Sequence, residues 1–169
     1  MSPGRGADDG FAAFAASQAA PLFRTAWLLT GDWHLSEDLV QEALGRMYMA
    51  WPGISRIDNP AAYSHTVLVR LFVSHRRRRS STERPSEQLP EVIGVGSDDA
   101  LRMTLASALA TLPKRNRAVL VLRYFEDRSV EQVAKDLNRS PGAIRVQALR
   151  ALAKLRTALG DDFLNLVRP

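Results

Sequence analysis

The run His75-Arg76-Arg77-Arg78-Arg79 holds four consecutive arginines. Guanidinium forks pair with phosphates, and Tyr63, Phe72 and His75 offer rings on which bases could stack, so the cluster suits a nucleic-acid backbone. Cations also complement the dipole at a helix C-terminus, but one or two would meet that need. A second basic set stands in SPGAIRVQALRALAKLR, Ser140–Arg156. At the helical step of about 100° per residue, Ile144, Ala148, Ala151, Leu152 and Leu155 share one arc. The opposite face centres on Val146, Leu149 and Ala153, with Arg145 and Arg156 on one flank and Gln147, Arg150 and Lys154 on the other. A DNA groove has a phosphate wall on each side and thymine methyls on its floor, which fits that pattern; a packed, solvated hairpin is the plainer reading. A third set is acidic. In EDLVQEAL, Leu39, Val40, Ala43, Leu44 and Met47 form one arc, and Glu37, Asp38, Gln41 and Glu42 the other. Asp38, Gln41 and Glu42 stand at i, i+3 and i+4 and project together, either toward a basic partner or into solvent.

No constellation suggests catalysis. His34, His65 and His75 are scattered without metal-ligand spacing, and no phosphate-cradling glycine loop or nucleophile set accompanies them. His34 reads as an exposed loop residue and His65 as a helix-surface one. The sequence therefore predicts a non-enzyme without metal or cofactor. It has no cysteine, which excludes disulfides and fits a cytoplasmic setting. The opening MSPGRGADDG lacks the apolar run of a signal peptide, and no stretch approaches the roughly 20 apolar residues of a membrane span.

The elements that must carry these sets all read as helix. Asp8 or Asp9 can cap a first helix presenting Phe11 and Phe14. Pro21 suits the first turn of a second, which stops at Gly31. Another runs from about Leu35 to Trp51. Asn59-Pro60 begins a helix reaching Arg79, whose residues Val67, Leu68, Val69, Leu71, Phe72 and Val73 surround it with apolar groups, so that it lies centrally or meets a ligand. Ser80–Asp99 has no apolar period and reads as a linker. After it, Leu101, Leu105, Ala108 and Leu112 mark a helix, and Pro113 opens the next, through Tyr124. Ser129, with Gln132 at the capping-box position, starts a short helix. Ser140-Pro141 starts the long one that Gly160 ends. Two helices joined at Asn138-Arg139 form a helix-turn-helix, whose second member is free to enter a major groove. The expected fold is all-α: two small domains, 1–79 and 100–169, free to move on a flexible, acidic linker, 80–99. Charge follows this division. Residues 1–79 carry 9 Lys/Arg and 7 Asp/Glu, residues 80–99 carry 1 and 5, and residues 100–169 carry 13 and 6.

Three segments in this order resemble the extracytoplasmic function (ECF) sigma factors of bacterial RNA polymerase: GDWHLSEDLVQEAL, DNPAAYSHTVLVRLFVSHRRRR and LPKRNRAVLVLRYFEDRSVEQVAKDLNRSPGAIRVQALRALAKLR. The resemblance covers roughly Phe11–Leu159. It implies a transcription initiation factor whose first domain binds the clamp helices of the polymerase beta-prime subunit through Asp38, Gln41 and Glu42. That domain also melts promoter DNA and holds −10 bases as single strand, with Tyr63, Arg70, Phe72, His75 and Arg76, Arg77, Arg78 and Arg79 as the candidate surface. The second domain, beside the beta flap, reads the −35 element in duplex DNA through Ser140, Arg145, Val146, Gln147, Leu149, Arg150 and Lys154. An anti-sigma protein is the further partner implied. Family members often carry Asn where this chain has Arg70, and small polar residues where it has Val146 and Leu149, which leaves both base preferences open. A helix-turn-helix regulator acting without polymerase is the alternative, and it gives the acidic patch and the arginine cluster no purpose.

Overall fold

A computed structural model describes residues 5–75 and 97–167. Among the described residues all regular structure is helical: α1 (Arg5–Thr30), α2 (Trp33–Met49), α3 (Trp51–Ile54), α4 (Pro60–Ser74), α5 (Ser97–Ala110), α6 (Lys114–Leu120), a π-helical turn (Val121–Phe125), α7 (Val130–Asp136), α8 (Pro141–Leu159) and α9 (Asp162–Val167). None is long and apolar enough to cross a membrane.

Local chemistry sets most boundaries. The Asp32 carboxylate accepts from the Leu35 amide and opens α2, and Asn59 does the same for α4 through Ala62. Ser129 and Gln132 form a reciprocal capping box at α7, and Ser140 caps α8 through Ala143. Gly31 and Gly160 end α1 and α8 with positive φ, a conformation that costs glycine little.

Several expected boundaries differ. Pro21 does not begin a helix; it lies inside α1. A proline there leaves the Ser17 carbonyl without its helical donor, yet Leu22, Ala26 and Leu29 beyond it are fully buried, and that burial carries the helix through. Asp8 sits in the first turn of α1 instead of capping it, and its carboxylate accepts from the Tyr48 hydroxyl. The helix expected to end at Trp51 stops at Met49, and Trp51 opens the short α3 with Pro52. The segment from Pro113 to Tyr124 divides into α6 and the π turn. The helix expected to reach Arg79 ends at Ser74, where His75 turns extended (ψ 109°) and its carbonyl accepts from Lys114 Nζ at 2.5 Å. Helix α5 begins at Ser97, inside the expected linker; residues 76–96 lie outside the described residues.

In the first half α1, α2 and α4 pack together, with α3 closing one end, where Met47, Trp51 and Ile54 meet Phe11 and Phe14. In the second half α5, α6 and α7 pack around α8. The halves do not stand apart. Helix α5 lies along α1, and α6 against α4, so one apolar cluster runs from Leu22 and Phe72 through Leu109 and Val119 to Ile144 and Leu159.

Candidate nucleic-acid interface

The turn between α7 and α8 places Asn138 at φ 53°, and the Arg139 amide bonds back to the Ala134 carbonyl. Val133 and Ala134 of α7 and Ile144, Ala148, Ala151 and Leu155 of α8 are buried against each other's helices and the core. That burial fixes which side of α8 remains outside. Val146 and Leu149 stand 48% and 69% exposed on it. Val146, Gln147, Arg150 and Lys154 line one groove of about 600 Å³, joined by Arg139 and Asn116. The structure thus brings together four of the seven residues expected to read duplex DNA. Arg145 stands exposed outside that groove, paired with Glu131 at 3.1 Å, an exposed ion pair worth about 0–1 kcal/mol. The Ser140 hydroxyl is spent on its cap. Gln147 donates to Asn116 Oδ1 at 3.0 Å, which orients its amide. Arg156, expected on the flank of Arg145, packs over the Phe163 ring.

Asn116 and Arg139 were missed by sequence reasoning. Arg139 reads only as a turn residue, and Asn116 reaches the groove from α6, a contact that no periodicity announces.

In the first half, Glu37, Asp38, Gln41 and Glu42 are all exposed on α2, opposite buried Leu39, Val40, Ala43 and Met47. Glu42 pairs with Arg46 at 3.0 Å. On α4, Tyr63 and Arg70 are two turns apart and both exposed. With Arg46, Met47, Ala50, Ile54 and Val67 they line a pocket of about 300 Å³, combining an aromatic ring with two cations. Arg46 is a further residue the sequence did not single out, masked there by its helical pairing with Glu42.

Phe72 is not placed with them. It is 1% exposed, with Lys114 and Arg117 over its ring at 5.4 and 5.3 Å, so no base can stack on it in this arrangement. The apolar girdle of α4 marks a central helix. His75 is half-buried at its end, and Arg76, Arg77, Arg78 and Arg79 lie outside the described residues. His34 stands on the first turn of α2, exposed, and not in a loop. His65 is not on the surface either; it is 7% exposed, and its Nδ1 lies 2.9 Å from Glu126 Oε1.

Glu126 comes from the second half. Its Oε1 also accepts from Thr25 Oγ1 at 2.7 Å. Burial pushes its carboxyl up, but the hydrogen bond and charge of His65, the Thr25 hydroxyl and the Arg128 charge outweigh that and hold it below the ordinary carboxylate range. A second cleft, of about 510 Å³, lies between the halves and is lined by Tyr63, Thr66, Arg70, Glu126, Arg128 and Asp136 among others.

Comparison with known proteins adds independent findings. Residues 16–82 match the family model "Sigma-70 region 2" and residues 102–155 match "Sigma-70, region 4". The chain is 36% identical over 140 residues to the RNA polymerase sigma-E factor of Streptomyces antibioticus, covering 82% of this chain and 78% of that one. It is 32% identical over 153 residues to the ECF RNA polymerase sigma factor SigL of Mycobacterium tuberculosis, covering 85% of each. Among solved structures, the sigma factor RpoE of Bartonella quintana, crystallised with the anti-sigma factor NepR, shares the fold. Its TM-score is 0.70 at 22% identity, over 90% of this chain and 98% of that one.

Proposed function

The chain belongs to the sigma-70 family, in its ECF group of RNA polymerase sigma factors, and from that premise we propose how its surfaces divide the work of transcription initiation. The observation that carries the proposal is the outer face of α8. A helix held from behind by Ile144, Ala148, Ala151 and Leu155 presents Val146, Gln147, Arg150 and Lys154 in one basic groove. A major groove admits a helix, cations on it meet phosphates, and its apolar strip meets thymine methyls. This face reads the −35 element. Tyr63 and Arg70, with Arg46, take the melted −10 strand, and the arginines at 76–79 extend that contact along the backbone.

Core RNA polymerase is the partner that makes these contacts productive. Asp38, Gln41 and Glu42 meet the beta-prime clamp helices, and the second domain sits at the beta flap. A regulator acting without polymerase has no use for the exposed acids of α2, and it does not account for a match to region 2. The protein acts by binding, with no catalytic step, in the cytoplasm. An anti-sigma protein is a further partner: Val146 and Leu149 form an apolar strip that gains from burial at roughly 25 cal/mol per Å².

Charge reversal at Asp38 combined with Gln41→Ala tests the polymerase contact. Both side chains are exposed, so helicity by circular dichroism should match that of the wild type. Affinity for core polymerase should fall, and run-off transcription with it. Unchanged affinity in the double variant overturns the placement of the contact on α2.

A further inference from the structure

Asn116 and Gln147 meet within the second half. Gln147 follows Ile144 by three positions and precedes Ala151 by four, and both of those are buried. Its side chain therefore leaves α8 at the border of the packed face. Asn116 stands on α6, which packs against α8 and buries Ala118, Val119 and Leu120. Both residues are half-buried, and Gln147 Nε2 donates to Asn116 Oδ1 at 3.0 Å. Both also line the groove that holds Val146, Arg150 and Lys154. The pair thus fixes one amide where the outer face of α8 begins.

A carboxamide has two N–H donors and one accepting oxygen. With one N–H given to Asn116, Gln147 keeps Oε1 and a single N–H for whatever enters the groove. That combination matches one base edge. In the major groove adenine presents the N6 amino group as a donor beside the N7 acceptor, and an amide oxygen with one N–H satisfies both. Guanine presents two acceptors, N7 and O6, and calls for two donors. Cytosine N4 and thymine O4 each satisfy only one of the two groups. An unheld amide could turn about its last torsion and offer its nitrogen to guanine or thymine instead. The hydrogen bond also removes rotamer freedom before DNA arrives, so less is lost on docking.

Resting on the −35 reading of α8 above, we infer that Asn116 is a positioning residue that sets the Gln147 amide to read adenine at one position of the −35 element. Asn116 acts through Gln147 and not on the base. A mere tie between α6 and α8 would have a different signature: its loss would weaken every promoter alike, whereas loss of a positioning contact changes the preference at one base.

Holoenzyme assembled from core RNA polymerase and the full-length factor, presented with a promoter library randomised across the −35 region, reads this directly when the bound promoters are sequenced. The wild type should select adenine over guanine by about tenfold at one position, and Gln147→Ala should abolish that selection. Asn116→Ala should flatten the same position while the others keep their preferences. Asn116→Asp retains only acceptors, so Gln147 must still donate to it. Adenine should stay selected in that variant, while affinity falls evenly across sequences because a negative charge now faces phosphate. Helicity by circular dichroism should match the wild type throughout. Should Asn116→Ala lose helicity, Asn116→Leu, similar in size and without an acceptor, takes its place. An adenine preference untouched by removal of the Asn116 acceptor, its loss in Asn116→Asp, or selection of another base at the Gln147-dependent position overturns the inference. Selection altered by Arg150→Ala but not by Gln147→Ala overturns it too and leaves the −35 reading standing. Selection altered by neither overturns the −35 reading of α8 itself.

Discussion

Arg145 and Arg150 look equivalent on a helical wheel, each beside the Val146–Leu149 strip, but their surroundings differ. Arg150 shares a groove with Gln147, Lys154 and Arg139, whereas Arg145 is tied to Glu131 outside it. Arg150→Ala should weaken −35 duplex binding by about 1–3 kcal/mol and relax preference at one position if it meets a base edge. If it meets phosphate, affinity should fall evenly across sequences and the salt slope should shrink by about one. Arg145→Ala should also weaken binding. Its ion pair is exposed and readily exchanged, so the pairing does not withhold the side chain from DNA. Fluorescence anisotropy on promoter variants at two salt concentrations separates these outcomes. Isotherms identical to wild type for both at low salt would mean that α8 faces a protein.

At the scale of the element, α1 is where local rules and packing oppose each other most directly. Pro21 deletes a hydrogen bond in the middle of a 26-residue helix, and the helix continues because both of its ends are packed: Phe11 and Phe14 before the proline lie against Met47, Trp51 and Ile54, and Leu22, Ala26 and Leu29 after it are buried in the large core. Restoring the amide should therefore help. Pro21→Ala is expected to stabilise the protein by about 1–3 kcal/mol, reduced somewhat by the greater freedom of the unfolded chain. Urea denaturation measures this as a higher midpoint at unchanged m-value. A lower midpoint would show that the proline ring itself makes a necessary contact.

At the scale of the whole molecule, the shared core makes a claim about cooperativity. Trp27, Trp33 and Trp51 all lie in the first half, so tryptophan fluorescence reports that half alone, while far-UV circular dichroism reports both. Continuous packing from Leu22 to Leu159 predicts coincident urea transitions by the two probes, the signature of two-state unfolding. Two separated transitions in the wild type would mean that the halves fold independently and that their contact contributes little stability.

The sequence by itself determined that the regular structure is helical, the caps at Asn59, Ser129 and Ser140, and the buried and open faces of α2 and α8. Each of these depends on residues within a few positions of one another, where hydrogen bonding and the 3.6-residue period act directly. The same locality made the open groove of α8 legible in Val146, Gln147, Arg150 and Lys154. Only the tertiary structure decided the fates of His65, Phe72, Glu126 and Arg128. His65 and Phe72 sit on a helix that is apolar nearly all round, and local spacing cannot say which of its sides another element will cover. Glu126 and Arg128 flank a short turn and have no periodicity at all. Their partners Thr25, His65 and Thr66 are 61 to 101 positions away. Contacts that distant are fixed by how two half-cores meet, a property of summed burial across the molecule that is not encoded in any one segment.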